Sequence, residues 1–311
     1  MIKELYENAR NKKSAGRNWK ITYKINKLIA VLLVPIINSL NKKSGTDNEG
    51  KIIVSLTTFP ERINIVWVTI STLMNQTIKP KRIILWLSKT QFPLGEAKLP
   101  KKLIKLKKRG LEIRFCDDLA PHKKYFYSMK EYPNDIIVTV DDDMLYPENH
   151  LEQLWEGYKK NSDCIICQYA HKITYDKNGN INPYSLWESC YGESTEPNLQ
   201  IMAVGCGGVL YPPHLLDDRL LNKIDIINLC PKMDDLWLKS MEVLKGTKVS
   251  ICNTGSLIYF DVIGTRKSGL QHVNALQNKN DEAIKAIINK YPDVYRLLYE
   301  DYKKNVVKAG E

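Results

Sequence analysis

The chain has 311 residues, 43% of them hydrophobic and 26% charged, close to globular averages, so wholesale disorder is excluded. This length suits two domains or one large α/β unit, with a core big enough to need neither disulfides nor a structural metal. The net charge is +11, and residues 1–50 hold more than half of it, with ten Lys/Arg against four Asp/Glu.

A nucleic-acid binder would interleave basic and aromatic residues on its folded domain, whereas the excess here sits in the leader. That leader contains an apolar run, Leu28 to Leu40, with Lys20, Lys24 and Lys27 before it and Lys42 and Lys43 after it. The run is too short to span a bilayer and Pro35 interrupts it, so no ordinary membrane-spanning helix is expected. Lysine-flanked apolar segments are drawn to anionic headgroups, each basic residue contributing roughly 1 kcal/mol near the surface. The expectation is a peripheral anchor at the cytoplasmic membrane face, or else a helix packed on its own domain. No small-residue cleavage site follows, which argues against a secretory signal. The seven cysteines are an odd number scattered through apolar runs, which suits a reduced, cytoplasmic compartment.

A polar linker, residues 44–50, leads into the body. Strands are predicted at Lys51–Leu56, Arg82–Ser88, Leu111–Cys116, Asp135–Val140, Cys164–Tyr169 and Val249–Cys252. Helices are predicted at Ile65–Met74, Tyr125–Glu131 and Leu151–Lys159, with another beginning at Met233–Leu238. Apolar strands alternating with helices indicate an α/β fold with a mostly parallel central sheet flanked by helices. The division expected is a leader with linker over 1–50, a body over 51–290, and a helical tail over 291–311. A hairpin turn is expected around Asp176–Asn180.

The most informative segment is Val138-Thr139-Val140-Asp141-Asp142-Asp143-Met144, an apolar strand running into three carboxylates. Alternation along an extended chain sends Asp141 and Asp143 to one side and Asp142 to the other. Two carboxylates at the carboxyl end of a parallel strand suit a hard cation such as Mg²⁺ or Mn²⁺, and ligand crevices of open α/β sheets lie at that end. The plain alternative is a solvated acidic turn. Gly205-Cys206-Gly207-Gly208 offers either close backbone approach to a ligand or a tight turn. Asp234 and Asp235 open a helix, where the macrodipole favours their charged forms; they could equally serve as N-caps. Cys164 and Cys167 have Cys-x-x-Cys spacing, but no second pair exists for zinc.

Together these blocks resemble the nucleotide-sugar glycosyltransferases of the GT-A fold, particularly bacterial enzymes of surface-polysaccharide assembly. The resemblance covers roughly residues 51–285. It rests on Ser55–Ile63, Lys124-Tyr125, Asp135–Pro147, Gly205–Pro213 and Met233–Lys239, in that order. It implies a nucleotide-sugar donor, with a UDP-sugar as the expected form, a Mn²⁺ or Mg²⁺ ion on its diphosphate, and a glycan or lipid-linked acceptor. Residue by residue, it makes Asp143 the direct metal ligand, with Asp141 on the metal or the ribose. Thr57, Thr58, Glu61, Arg62, Asp117, Lys124, Asp142, Gly207 and Gly208 become donor contacts. Asp235 becomes the base of an inverting transfer and Asp234 its support. A C-terminal segment with Arg266, Lys267 and His272 resembles the flexible loop of these folds, and His272 would complete the metal shell.

Two other readings stay open: a sugar nucleotidyltransferase of related fold, and a non-catalytic binding subunit. The first usually carries a glycine-rich phosphate loop after the first strand, and Ser55–Pro60 has none. The second would keep clustered carboxylates that repel one another without a cation.

Overall fold

The computed structural model describes residues 4–5, 19–191, 196–252, 260–262, 264–265 and 278–310. Helix α1 (Trp19–Leu40) precedes β1 (Ile52–Thr57), α2 (Val66–Leu73), β2 (Arg82–Ser88), α3 (Lys101–Lys105) and β3 (Leu111–Cys116). Then come α4 (Lys123–Glu131), β4 (Ile136–Thr139), β5 (Met144–Leu145), α5 (His150–Lys160), β6 (Ile165–Cys167) and β7 (Tyr169–Lys172). The remainder is β8 (Glu188–Tyr191), β9 (Ile201–Ala203), β10 (Val209–Tyr211), α6 (Lys223–Leu229) and α7 (Asp234–Lys245). It ends with β11 (Val249–Ile251), β12 (Phe260–Asp261), α8 (Lys279–Lys290) and α9 (Pro292–Gly310).

Seven strands form the main sheet in the order β11-β6-β10-β4-β1-β2-β3. All its pairings are parallel except those of β10, which runs antiparallel to both β4 and β6. The α/β class with a mostly parallel, helix-flanked sheet is therefore the class observed. Both faces are covered, as the unbroken apolar strands require. Ile52, Val54 and Leu56 pack with Ile70 and Leu73 of α2 and Leu151 and Leu154 of α5. On the other face, Val209 and Tyr211 share a cluster with Trp237 of α7. Helices α8 and α9 join that cluster through Ile287, Val294 and Leu298, so the C-terminal segment is knitted into the body.

Two expectations need correction. The stretch Cys164–Tyr169 is divided between two sheets, β6 in the large one and β7 in a three-stranded β8-β7-β9 sheet. The divide is Gln168, fully buried, whose amide donates to the carbonyl of His150 and to Gln153 Oε1. The apolar leader run is also longer than its sequence boundaries suggest. Pro35 lies inside α1, and Ile21–Leu40 is long and apolar enough, by length and composition, to cross a membrane. A proline inside a helix costs about 3 kcal/mol. Val31 and Val34 offset this by packing against Val68, Leu145 and Phe260, each burial being worth roughly 1.5–3 kcal/mol.

Candidate active site

Register brings the site together. Val209 pairs with Thr139, so the glycine turn before β10 abuts the carboxyl end of β4, and β1 ends beside it. Tyr146 fastens the two: its hydroxyl accepts from the Asp141 amide at 3.0 Å and donates to the Cys206 carbonyl at 3.2 Å.

The three aspartates divide their work. Asp142 turns inward, accepting from Thr58 Oγ1 and from Arg62 Nη1 at 2.6 Å, while its backbone carbonyl accepts from Thr69. Asp143 lies 2.9 Å from the same Arg62 nitrogen, and Arg62 also donates to the Thr265 carbonyl. Asp141 and Asp143 remain partly exposed whereas Asp142 is buried. Burial, then repulsion from Asp141, pushes the Asp143 carboxyl up to about 7 despite Arg62. Arg62 is itself buried, which works against its charge, but Asp142 and Asp143 raise its affinity for the proton.

Lys124 joins this group to a second one. Its ammonium is buried at the start of α4 and lies 2.8 Å from both Asp141 and Asp234. Burial opposes that charge, yet the surrounding aspartates raise its proton affinity well above the usual lysine range. Ser55 of β1 anchors the backbone beneath it, donating to the Lys124 carbonyl and lying 2.7 Å from Ser128 Oγ. His122, wholly buried, bridges to the loop before α7. The Cys230 carbonyl only accepts, so Nε2 carries the proton and Nδ1 accepts from the Tyr125 hydroxyl. Burial holds this imidazole neutral, its pKa lowered to about 4.

The two acids of α7 diverge. Burial disfavours the Asp234 charge, but Lys124 outweighs that and keeps its carboxyl below the usual range. Asp235, driven by burial and then by the Asp234 charge, is pushed up to about 8. One Asp235 oxygen accepts from the Gly205 amide at 3.1 Å. A side chain on Gly205 would strike Lys124 Nζ at 2.6 Å and approach Asp235 and Asp141 at 3.1 and 3.2 Å. Gly205 is thus the backbone wall about which both acidic groups gather.

The residues nominated from the sequence fall into three sets. Asp141, Asp143, Lys124, Asp234 and Asp235 converge, with Arg62, Thr58 and Asp142 supporting them from inside. Thr57 donates to the Trp86 carbonyl at 2.8 Å, and Glu61 is exposed. Asp117 is an exposed partner of Lys223 at 2.9 Å, and Asp118 pairs with Lys123. What closes on Gly207 and Gly208 is protein: Tyr169 faces the first and His150 the second, and Gly208 adopts φ 72°, a left-handed value that glycine allows. Arg266, Lys267 and His272 lie outside the described residues. Sequence reasoning passed over Ser55, His122 and Tyr146, whose bonds to Lys124, Cys230 and Cys206 span 60 or more positions. The Gly-Cys-Gly-Gly cluster was the one signal pointing at Gly205.

Among the described residues, no group of three or more His, Cys, Asp or Glu side chains is arranged to hold a metal ion. Asp141 and Asp143 nevertheless fit one. Mg²⁺-type cations are commonly held by one or two carboxylates and substrate phosphates, and both of these carboxylates stay partly exposed, with Asp141 close enough to add, after burial, to the rise of the Asp143 carboxyl. Asp142 is committed to Arg62 and Thr58 and does not belong to that donor set. A cavity of about 480 Å³ opens elsewhere, beside Lys81, Arg82 and Glu112, and the aspartates do not line it.

No family model and no curated protein matches the chain. Among solved structures it is similar to S. aureus TarS 1-349, at 12% identity and TM-score 0.42 over 78% of this chain and 71% of that one. It is similar to the mannosyltransferase PcManGT from Pyrobaculum calidifontis in complex with GDP-Man and Mn2+, at 10% identity and TM-score 0.47 over 89% and 79%. It is also similar to the inositol-1-phosphate CTP transferase from T. maritima, at 10% identity and TM-score 0.43 over 77% and 96%. Likenesses this distant assign no activity to the chain.

Proposed function

We infer that this protein is a metal-dependent glycosyltransferase of GT-A type. It moves a sugar from a nucleoside diphosphate donor to a glycan or lipid-linked acceptor in surface-polysaccharide assembly. The observation that carries this reading is the buried Lys124, which ties Asp141 of a cation-suited pair to Asp234, beside which Asp235 stands with raised proton affinity. Glycosyl transfer with inversion needs two such stations, one for the departing diphosphate and one for the attacking hydroxyl. A Mn²⁺ or Mg²⁺ ion on Asp141 and Asp143 would offset the charge that develops on the diphosphate.

The chain's own residues do the rest. The Gly205 amide holds Asp235 in place by one oxygen, leaving the carboxylate to take the acceptor's proton. As that hydroxyl oxygen bonds to the anomeric carbon, the bond to the phosphate oxygen breaks and its electron pair leaves with the nucleoside diphosphate. Attack opposite the leaving group inverts the anomeric centre. Lys124 keeps Asp234 ionised, and Arg62 fixes the aspartate loop from below. The seven unpaired cysteines suit a reduced, cytoplasmic setting.

The test is a panel of nucleotide sugars assayed with Mn²⁺ for hydrolysis without acceptor. Release of nucleoside diphosphate that stops with a chelator, and in Asp143→Ala of unchanged circular dichroism, is the expected result. Pyrophosphate formed from a sugar phosphate and a nucleoside triphosphate would instead make the chain a nucleotidyltransferase. Full hydrolysis in the variant would remove the metal role.

A further inference from the structure

Helix α1 has two unlike faces. Ala30, Val31 and Val34 are buried against the body. Its polar residues hold the same face: Lys27 pairs with Asp261 at 2.8 Å, and Asn38 donates to Ser71 at 3.2 Å and accepts from Asn75. The outer face carries Ile21, Ile25, Leu28, Leu32, Ile36 and Leu40, each more than half exposed. Their spacing of three or four residues makes one continuous stripe, about 28 Å long at the rise of an α-helix. Such a continuous apolar strip is unusual on a free surface.

Charge decides what covers it. Helix α1 contains no Asp or Glu, and exposed lysines stand at both ends, Lys24 on one side and Lys42 and Lys43 just past the other. Lys102 of α3 adds a further exposed charge nearby, lying over the ring of Trp67, which packs on the cluster beneath α1. A second copy laid on the stripe, parallel or antiparallel, would bring lysine against lysine. An anionic bilayer surface offers acyl chains to the stripe and headgroup phosphates to its ends. Crossing the bilayer would put Asn26, Lys27 and Asn38 into hydrocarbon after stripping them from the body.

We propose that α1 docks the protein on anionic membrane, lying in the plane of the interface through its Ile21–Leu40 stripe while its inner face stays packed on the body. The inner face rests on Leu145 and Phe260, which pair across β5 and β12, and the Asp143 carbonyl accepts from Val262 at the end of that pair. Docking therefore sets the aspartates near the membrane plane. Docking does not rest on the glycosyltransferase reading, but its consequence, a lipid-anchored acceptor, does.

The test is flotation of the full chain with vesicles of phosphatidylcholine alone or with phosphatidylglycerol. Binding to the anionic vesicles is expected, together with release by alkaline carbonate. L28E/L32E, substituted on the exposed face, should lose at least tenfold in partition with an unchanged thermal transition. Lys24→Ala with Lys42→Ala and Lys43→Ala should abolish the preference for phosphatidylglycerol. Equal partition of L28E/L32E, or a lipid-indifferent dimer that this variant splits, would overturn the proposal, and retention through carbonate would overturn the in-plane placement. Donor hydrolysis measured alongside separates the two readings: hydrolysis absent from the wild type with vesicle binding intact would sink the transferase and leave the docking.

Discussion

Asp235 has neighbours that pull its proton affinity in opposite directions. Burial and the Asp234 charge raise it, Lys124 lowers it, and it comes to about 8. A base works only when ionised, so kcat/KM, which reports the free enzyme, should climb with pH through a limb centred near 8. Asp235→Asn should flatten that limb and lower the rate by about 10²–10⁴-fold, the usual worth of general base catalysis. A pH profile of both proteins checks this, and an unchanged limb in the variant would move the base elsewhere. Asp141, Asp143, Asp234 and Asp235 were legible in the sequence because acids beside an apolar strand or at a helix start stand out locally. Their connection through Lys124 was not, since it joins residues 17 positions apart in one pair and more than a hundred in the other. Ser55 and Tyr146 were hidden for a similar reason: in sequence they are an ordinary strand serine and an ordinary aromatic.

At the scale of elements, the turn Gly205–Gly207 is the piece whose shape the site cannot spare. Gly205→Ala would drive a methyl group to 2.6 Å from Lys124 Nζ. A free lysine end would swing away, but this one is held in two ion pairs, so the crowding should disturb both. Overpacking of this kind costs about 1–3 kcal/mol. Thermal unfolding should show that loss, and donor hydrolysis should fall more than tenfold. Gly246→Ala is the control. Gly246 ends α7 with φ 78° and nothing stands near its missing side chain, so the variant should lose only about 1–2 kcal/mol of backbone strain and keep its activity. Equal activity losses in both variants would mean that stability alone accounts for the Gly205 effect. The parallel strands could be read from their compact apolar runs. The antiparallel insertion of β10 could not, because nothing local to Val209–Tyr211 records which neighbours it joins. The extent of α1 was obscured likewise, its proline being visible in the sequence and the contacts that override it lying in the body.

For the whole molecule, the raised proton affinity of Asp143 and Asp235 should appear as a pH dependence of stability. In the folded chain Asp143 keeps its proton to about 7 and Asp235 to about 8, whereas an unfolded aspartate releases it near 4. Between those values the folded state binds more protons than the unfolded one. Stability from these two groups is therefore full below about 4 and is lost as pH rises through 7 to 8. Other carboxylates, such as Glu112 and Asp217, are held low by arginines and act in the opposite sense, so the comparison must be made by difference. Asp143→Asn should lose part of the decline that the wild type shows between pH 5 and 8. A cation competes with the proton on Asp143, so Mn²⁺ should raise the wild-type midpoint more at pH 8 than at pH 5. At a hundred times its dissociation constant the gain approaches about 2.7 kcal/mol. In Asp143→Asn the increment should vanish at both pH values. Thermal unfolding with and without Mn²⁺ measures it directly. An equal increment in wild type and variant would place the cation away from the aspartate loop, and with it the charge balance on which the proposed transfer depends.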